Sequence, residues 1–210
     1  MSGDERKRRA GLDDPASSQA IAADIARVVV SRKRIAVRVR ELAGRIAECY
    51  GQAELTILAV LTGSLIFLSD LIRQLPLKMR LDVVSVCSYP GQATRSQGPR
   101  IALPPGASLS GRHVLIVDDI LDSGSTLRAL QQAVALMDPA SLRTCVLMQK
   151  VRPDVEDRPA ADFVGFEVAD EFLVGYGLDF DHLYRNLPDL CVLKPACYRR
   201  GAGATGREDA

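Results

Sequence analysis

The run His113-Val114-Leu115-Ile116-Val117 passes straight into Asp118-Asp119, then a Gly/Ser/Thr turn, then an amphipathic stretch. That order constrains the fold more than any other feature of the chain. The apolar run is short, nearly continuous and rich in β-branched residues, which suits a strand buried on both faces of a parallel sheet. Gly111 bounds it upstream, and the acids fall at its carboxyl end, where open α/β sheets bind ligands. After Ile120-Leu121 come Asp122-Ser123-Gly124-Ser125-Thr126, followed by Leu127, Leu130, Val134 and Met137 at helical spacing. Ser and Thr in this place are expected as helix caps, over first-turn N–H groups that lack internal partners. Free amides at a positive dipole end, with hydroxyls beside them, make a pocket for phosphate.

Three acids so close would repel a bare phosphate. The conflict disappears if the carboxylates face sugar hydroxyls or a bound Mg²⁺, both of which suit carboxylate oxygens. A ribose 5-phosphate satisfies every group, with its phosphate on the turn and its 2- and 3-hydroxyls on Asp118 and Asp119. Spacing excludes two other nucleotide-binding designs. No G-x-x-x-x-G-K-[ST] phosphate loop occurs, and the G-x-G-x-x-G at 201–206 lies in the last ten residues, with no strand leading in and no room for a βαβ unit.

The segment VLIVDDILDSGSTL resembles the phosphoribosyl-pyrophosphate (PRPP) signature of type I phosphoribosyltransferases. Later segments, DFVGFE at 162–167 and DEFLVGYGLD at 170–179, resemble the hypoxanthine-guanine branch of that family. Together the likeness spans roughly residues 25–195. It implies an α/β fold with a mostly parallel twisted sheet flanked by helices and a small hood lobe. It also implies Mg²⁺-dependent transfer of 5-phosphoribosyl from PRPP to N9 of a 6-oxopurine, with pyrophosphate released and IMP or GMP formed.

Residue by residue, the resemblance assigns PRPP contacts to Asp118, Asp119, Ile120, Asp122, Ser123, Gly124, Ser125 and Thr126. Leu61-Thr62-Gly63-Ser64 is a second strand-to-helix turn and matches the pyrophosphate loop, with Thr62 and Gly63 in contact and a cis Leu61–Thr62 bond expected. Many 6-oxopurine enzymes carry Lys or Arg where this chain has Thr62, so contact here rests more on backbone amides. Lys150 matches the donor to the purine 6-oxo group, and such a donor rejects a 6-amino base by losing its own partner. Phe172 matches the aromatic that stacks on the purine, and Leu173 a residue whose backbone bonds the base. Asp179 matches a carboxylate on the Mg²⁺ held by pyrophosphate, with Asp118 and Asp119 as further candidate ligands. Arg185 matches an arginine on pyrophosphate. Ser88-Tyr89 matches the start of a mobile catalytic loop that excludes water. Asp122 is the candidate general base toward N7, a role calling for a pKa raised by burial or acidic neighbours. The resemblance leaves hypoxanthine, guanine and xanthine open, and implies a homodimer or homotetramer.

The remaining sequence fits this outline. A chain of 210 residues is long enough for one well-cored domain, expected over 20–198 between a disordered tail at 1–19 and a flexible one at 199–210. Net charge is +1 and aromatics are 5%, which argues against a nucleic-acid partner and against the regulators that reuse this fold to bind RNA or DNA. The basic cluster Arg6-Lys7-Arg8-Arg9 lies in the polar leader. Five cysteines without a C-x-x-C suggest reduced thiols in the cytoplasm. Leu55 to Ile72 approaches membrane-spanning length, but Thr62-Gly63-Ser64 splits it and Asp70 interrupts it, so a strand and a helix are expected instead of a membrane span. His113 and His182 have no nucleophile or ligand set around them in sequence and are expected to be structural or solvated. Expected elements are strands at 26–31, 55–61, 80–88, 113–119, 142–149, 162–167 and 190–194. Helices are expected at 33–50, 64–75 and 124–137, with a polar loop at 89–100 and a turn region at 168–188.

Overall fold

A computed structural model of the chain describes residues 21–87, 100–102 and 108–198. Two sheets organise them. The larger has six strands in the order β4 (Arg100–Ala102), β3 (Met79–Cys87), β2 (Leu55–Leu61), β5 (His113–Leu121), β6 (Ser141–Lys150), β7 (Phe163–Val168). All its pairings are parallel except β3 with β4. The smaller is antiparallel, with β9 (Leu190–Leu193) between β1 (Ile25–Val30) and β8 (Leu173–Val174). It is the expected hood.

Strand alternation decides which helix covers which face. Leu55, Ile57 and Ala59 of β2, with Leu115 and Val117 of β5, form one core with helix α1 (Arg32–Tyr50) and helix α2 (Leu65–Ile72). Leu58, Val60, Val114 and Ile116 point the other way and meet Leu127, Leu130 and Val134 of helix α3 (Ser125–Ala135). Helices therefore cover both faces. The heptad-like recurrence of Ile35, Val39, Leu42 and Ile46 is the buried stripe of α1, and Gly51 ends that helix at φ 60°.

Several boundaries differ from expectation for local reasons. Helix α2 stops at Ile72 rather than 75, because Leu75 precedes Pro76 and the residue before proline avoids the α region. Strand β5 continues through Asp118-Asp119 to Leu121, still paired with β6 at Leu121↔Gln149. The strand therefore runs two residues past the expected end at 119, with the acids inside it as expected. The loop expected to run through residue 100 gives way to β4 at Arg100, and the turn region at 168–188 contains β8 and two isolated bridges. A short helix α4 (Pro195–Tyr198) follows the hood. Among the described residues no helix is long and apolar enough to cross a membrane. Cys49, Cys145 and Cys191 form no disulfide. His113 bonds Ser141 Oγ through Nδ1 at 2.8 Å and meets the Tyr50 ring edge-on, a structural role.

Candidate active site

One open cleft of about 360 Å³ lies over the carboxyl ends of β2 and β5. Its walls bring together Thr62, Gly63, Asp118, Asp119, Ile120, Asp122, Ser123, Gly124, Ser125, Thr126, Asp179 and Arg185. Twelve residues expected from sequence thus meet in one place.

The floor is the acidic pair. Asp118 is only 8% exposed, and its Oδ1 accepts from the Asp119 amide at 2.9 Å. Asp119 Oδ1 accepts from the Ile120 amide at 2.7 Å, so each carboxylate is oriented by the next peptide. Burial, then the neighbouring Asp119 charge, pushes the Asp118 carboxyl well above the usual range. Burial raises Asp119 as well, while its bonds to Asp118 and to backbone amides, and the Arg185 charge, work against the rise. Two adjacent acids held in this way favour a ligand that brings hydroxyls or a cation.

Beside them the chain turns into α3. Gly124 occupies the N-cap at φ 82°, and no side chain caps the helix. This corrects the expectation of a Ser or Thr cap: the position needs a left-handed backbone, and the Pro159 ring would lie 2.5 Å from an added Cβ. The hydroxyls of Ser123 and Ser125 lie 3.3 Å apart instead. The Ser125 amide donates to Ser123 Oγ at 3.4 Å, and the other first-turn amides of α3 have no intrahelical partner, the arrangement that binds phosphate.

The opposite wall is the loop after β2, where the Leu61–Thr62 peptide is cis. A Cβ on Gly63 would overlap the Asp119 carboxylate, and one on Gly177 (φ 102°) would overlap the Gly63 carbonyl. Only glycines let hood, loop and acidic floor approach this closely. From the hood, Arg185 donates through Nη1 to the Gly177 carbonyl at 2.7 Å and pairs through Nη2 with Asp179 Oδ1 at 2.7 Å. Asp179 Oδ2 accepts from the His182 amide at 2.8 Å. His182 thus contributes its backbone.

Lys150, Phe172 and Leu173 stand outside the cleft lining. Lys150 reaches its edge through an ion pair with Asp122 Oδ2 at 3.0 Å. Phe172 is 38% exposed, edge-on to Phe180 and stacked on Tyr198 at 4.9 Å between centroids. Leu173 is buried in β8. Ser88 and Tyr89 lie outside the described residues, as do the basic cluster and the G-x-G-x-x-G. Asp122 does not have the burial expected for it. Its side chain is 42% exposed and faces two cations, Lys150 and Arg152, the latter at 2.6 Å.

Sequence reasoning missed Arg152, Arg158 and Tyr198. Arg158 donates through Nη1 to the Lys150 carbonyl at 2.5 Å and to the Asp122 carbonyl at 3.3 Å. Both arginines lie in a polar segment without periodicity, and Tyr198 lies at the edge of the small polar tail, so no pattern marked them.

Among the described residues no three His, Cys, Asp or Glu side chains converge to cage a metal. The donor set still suits Mg²⁺, which takes one or two carboxylates and leaves its other positions to water and substrate phosphate. Asp118, Asp119 and Asp179 are all hard oxygen donors on one cleft wall or floor.

Comparison with known proteins agrees with this geometry. A phosphoribosyl transferase domain model matches residues 29–181. The hypoxanthine-guanine phosphoribosyltransferase of Bacillus subtilis is 40% identical over 176 residues, covering 83% of this chain and 97% of the relative. The hypoxanthine-guanine-xanthine phosphoribosyltransferase of Tritrichomonas foetus is 37% identical, covering 83% and 95%. The Trypanosoma cruzi hypoxanthine phosphoribosyltransferase complexed with the product IMP superposes with a TM-score of 0.77 at 34% identity, over 87% of this chain and 97% of that one. Cleft, hood and these likenesses agree: the chain belongs to the phosphoribosyltransferase family, on its hypoxanthine-guanine branch.

Proposed function

We propose that this protein is a purine salvage enzyme that transfers 5-phosphoribosyl from PRPP to N9 of hypoxanthine or guanine, giving IMP or GMP and pyrophosphate. The observation that carries the reading is the cleft itself. An acidic floor at Asp118-Asp119 adjoins an uncapped helix start at Gly124, with Thr62-Gly63 and Arg185 opposite. These are a diol site, a phosphate site and a pyrophosphate site within one substrate's length.

In the reaction the bond from ribose C1 to the pyrophosphate oxygen breaks and the bond from C1 to purine N9 forms. Asp118 and Asp119 orient the sugar hydroxyls, and the turn at Asp122–Thr126 holds the 5-phosphate. Arg185 and the amides of the Thr62-Gly63 loop take the charge of the departing pyrophosphate. Asp122 accepts the proton at N7 and Lys150 donates to the 6-oxo group. Phe172 offers the base an aromatic face. Asp179 and the Asp118-Asp119 pair are the residues that would hold Mg²⁺, which would supply positive charge toward the departing pyrophosphate. An assembly of two or four copies belongs to this reading. Its support is apolar surface left exposed on Leu65 and Ile66 of α2 and on Leu81 and Val83 of β3.

The test is a spectrophotometric assay with PRPP, Mg²⁺ and each purine base in turn. Hypoxanthine or guanine should be consumed with release of pyrophosphate, and adenine only orders of magnitude more slowly. Absence of turnover with every 6-oxopurine would overturn the reading.

A further inference from the structure

Lys150, Asp122, Arg152 and Asp170 close a ring of alternating charge. Lys150 Nζ pairs with Asp122 Oδ2 at 3.0 Å and with Asp170 Oδ1 at 2.8 Å. Arg152 Nη1 pairs with Asp122 Oδ1 at 2.6 Å, and its Nε lies 3.5 Å from Asp170 Oδ2. Each carboxylate therefore bridges the same two cations, one oxygen to each. The ring ties together the carboxyl ends of three adjacent strands, since Asp122 follows β5, Lys150 ends β6 and Asp170 follows β7.

The arrangement is too specific for a solvated surface pair. The Lys150 and Arg152 side chains are 14% and 22% exposed. Arg152 is itself held in place from outside, through a fork to both oxygens of Asp154 at 2.9 and 2.8 Å. The bond to Arg152 lowers the Asp154 carboxyl to about 2. At Lys150, burial alone would lower the ammonium, but the bonds to Asp170 and Asp122 outweigh it and the group stays charged. An ammonium has three donors. Two are spent on the ring, which leaves one with a direction set by the other two.

We infer that Arg152 is a positioning residue for base recognition: by locking Asp122 and Asp170 it aims the third N–H of Lys150 and the carboxylate of Asp122 at the purine's 6-oxo and N7 edge. The inference rests on the functional reading of Lys150 and Asp122 given above. A lysine on a four-carbon stem has no geometry of its own. The ring supplies it. Discrimination against a 6-amino base needs a donor that cannot swing away from the mismatch.

The experiment compares Arg152→Ala, Arg152→Lys and Asp154→Asn with the unaltered full chain, measuring kcat and KM for hypoxanthine, adenine and PRPP. In Arg152→Ala, kcat/KM for hypoxanthine should fall about 10²-fold, the effect of misplacing a reacting group by about 1 Å. KM for PRPP should hold within about twofold, because uniform binding at the cleft is untouched. The preference for hypoxanthine over adenine should fall with the first number. Arg152→Lys should recover part of it, and Asp154→Asn should lose a smaller part in the same direction. A preference left intact in Arg152→Ala overturns the inference, as does a fall in Tm with the ratio unchanged, which would mark the ring as structural only. If Arg152→Ala fails to fold, the other two variants decide by the same ratio. Failure of the functional reading looks different, for then the unaltered protein turns over no 6-oxopurine. A second readout is calorimetric binding of IMP against AMP, where the variants should lose selectivity and keep affinity for PRPP.

Discussion

The acids on the cleft floor are a source of instability that the ligand is built to relieve. Burial raises Asp118, and a carboxyl raised in the folded state contributes stability fully present below its unfolded value of about 3.9. That stability is lost as pH climbs through the folded value. Asp118→Asn, measured in chelator without substrate, should therefore gain about 1 kcal/mol at pH 7, the usual gain when a site is relieved of functional strain. For a domain of this size that is about 2–4 °C in Tm. The gain over the unaltered protein should shrink toward pH 4, and a constant difference across pH would refute the charge argument. Asp122→Asn tests another role. On the proposed mechanism it removes the proton acceptor and should lower kcat about 10²-fold or more; unchanged turnover would remove Asp122 from the mechanism. Residue types at Asp118, Asp119 and Asp122 were legible because paired acids beside a Gly/Ser turn have few other uses. The environment of Asp122 was not. It depends on Arg152 and Lys150, about 30 positions away in sequence and adjacent only once β5 and β6 pair.

Elements were legible wherever periodicity was strong. The buried stripe of α1, and the alternation of β2 and β5 between two cores, follow from the order of apolar side chains. Short elements escaped for the converse reason. Three residues of β4 and two of β8 carry no period, and each is a strand only because β3 or β9 offers it a partner. The meeting of the Gly63 loop with the hood turn shows the same limit, since sequence exposes two glycines but not their contact. Gly177→Ala should press a methyl group on the Gly63 carbonyl from a backbone at φ 102°. The expected loss is about 1–3 kcal/mol of stability, and with it a KM for PRPP raised more than that for the base. Calorimetry and initial rates check this together. An equal rise in both constants would place the damage elsewhere.

At the scale of the whole molecule, the six-stranded sheet and the hood sheet are separate hydrogen-bonded units. The cleft draws its floor from the first, and Asp179 and Arg185 from the segment that joins β8 and β9 of the second. A ligand spanning both adds bonds that the unfolded chain cannot make, so it must stabilise the fold by mass action. PRPP with Mg²⁺ at 100 times its Kd should contribute about 2.7 kcal/mol, a rise in Tm of about 5–10 °C at this chain length. PRPP in chelator should give a much smaller rise, because the pyrophosphate charge would then meet Asp118, Asp119 and Asp179 with Arg185 and the Thr62-Gly63 amides, but no metal, to offset it. Mg²⁺ alone should shift Tm little, since no three side chains among the described residues form a cage for it. A thermal melt with the three additions separates these cases. Equal shifts with and without chelator would mean that the acidic floor takes the sugar alone, and that no metal joins substrate to protein.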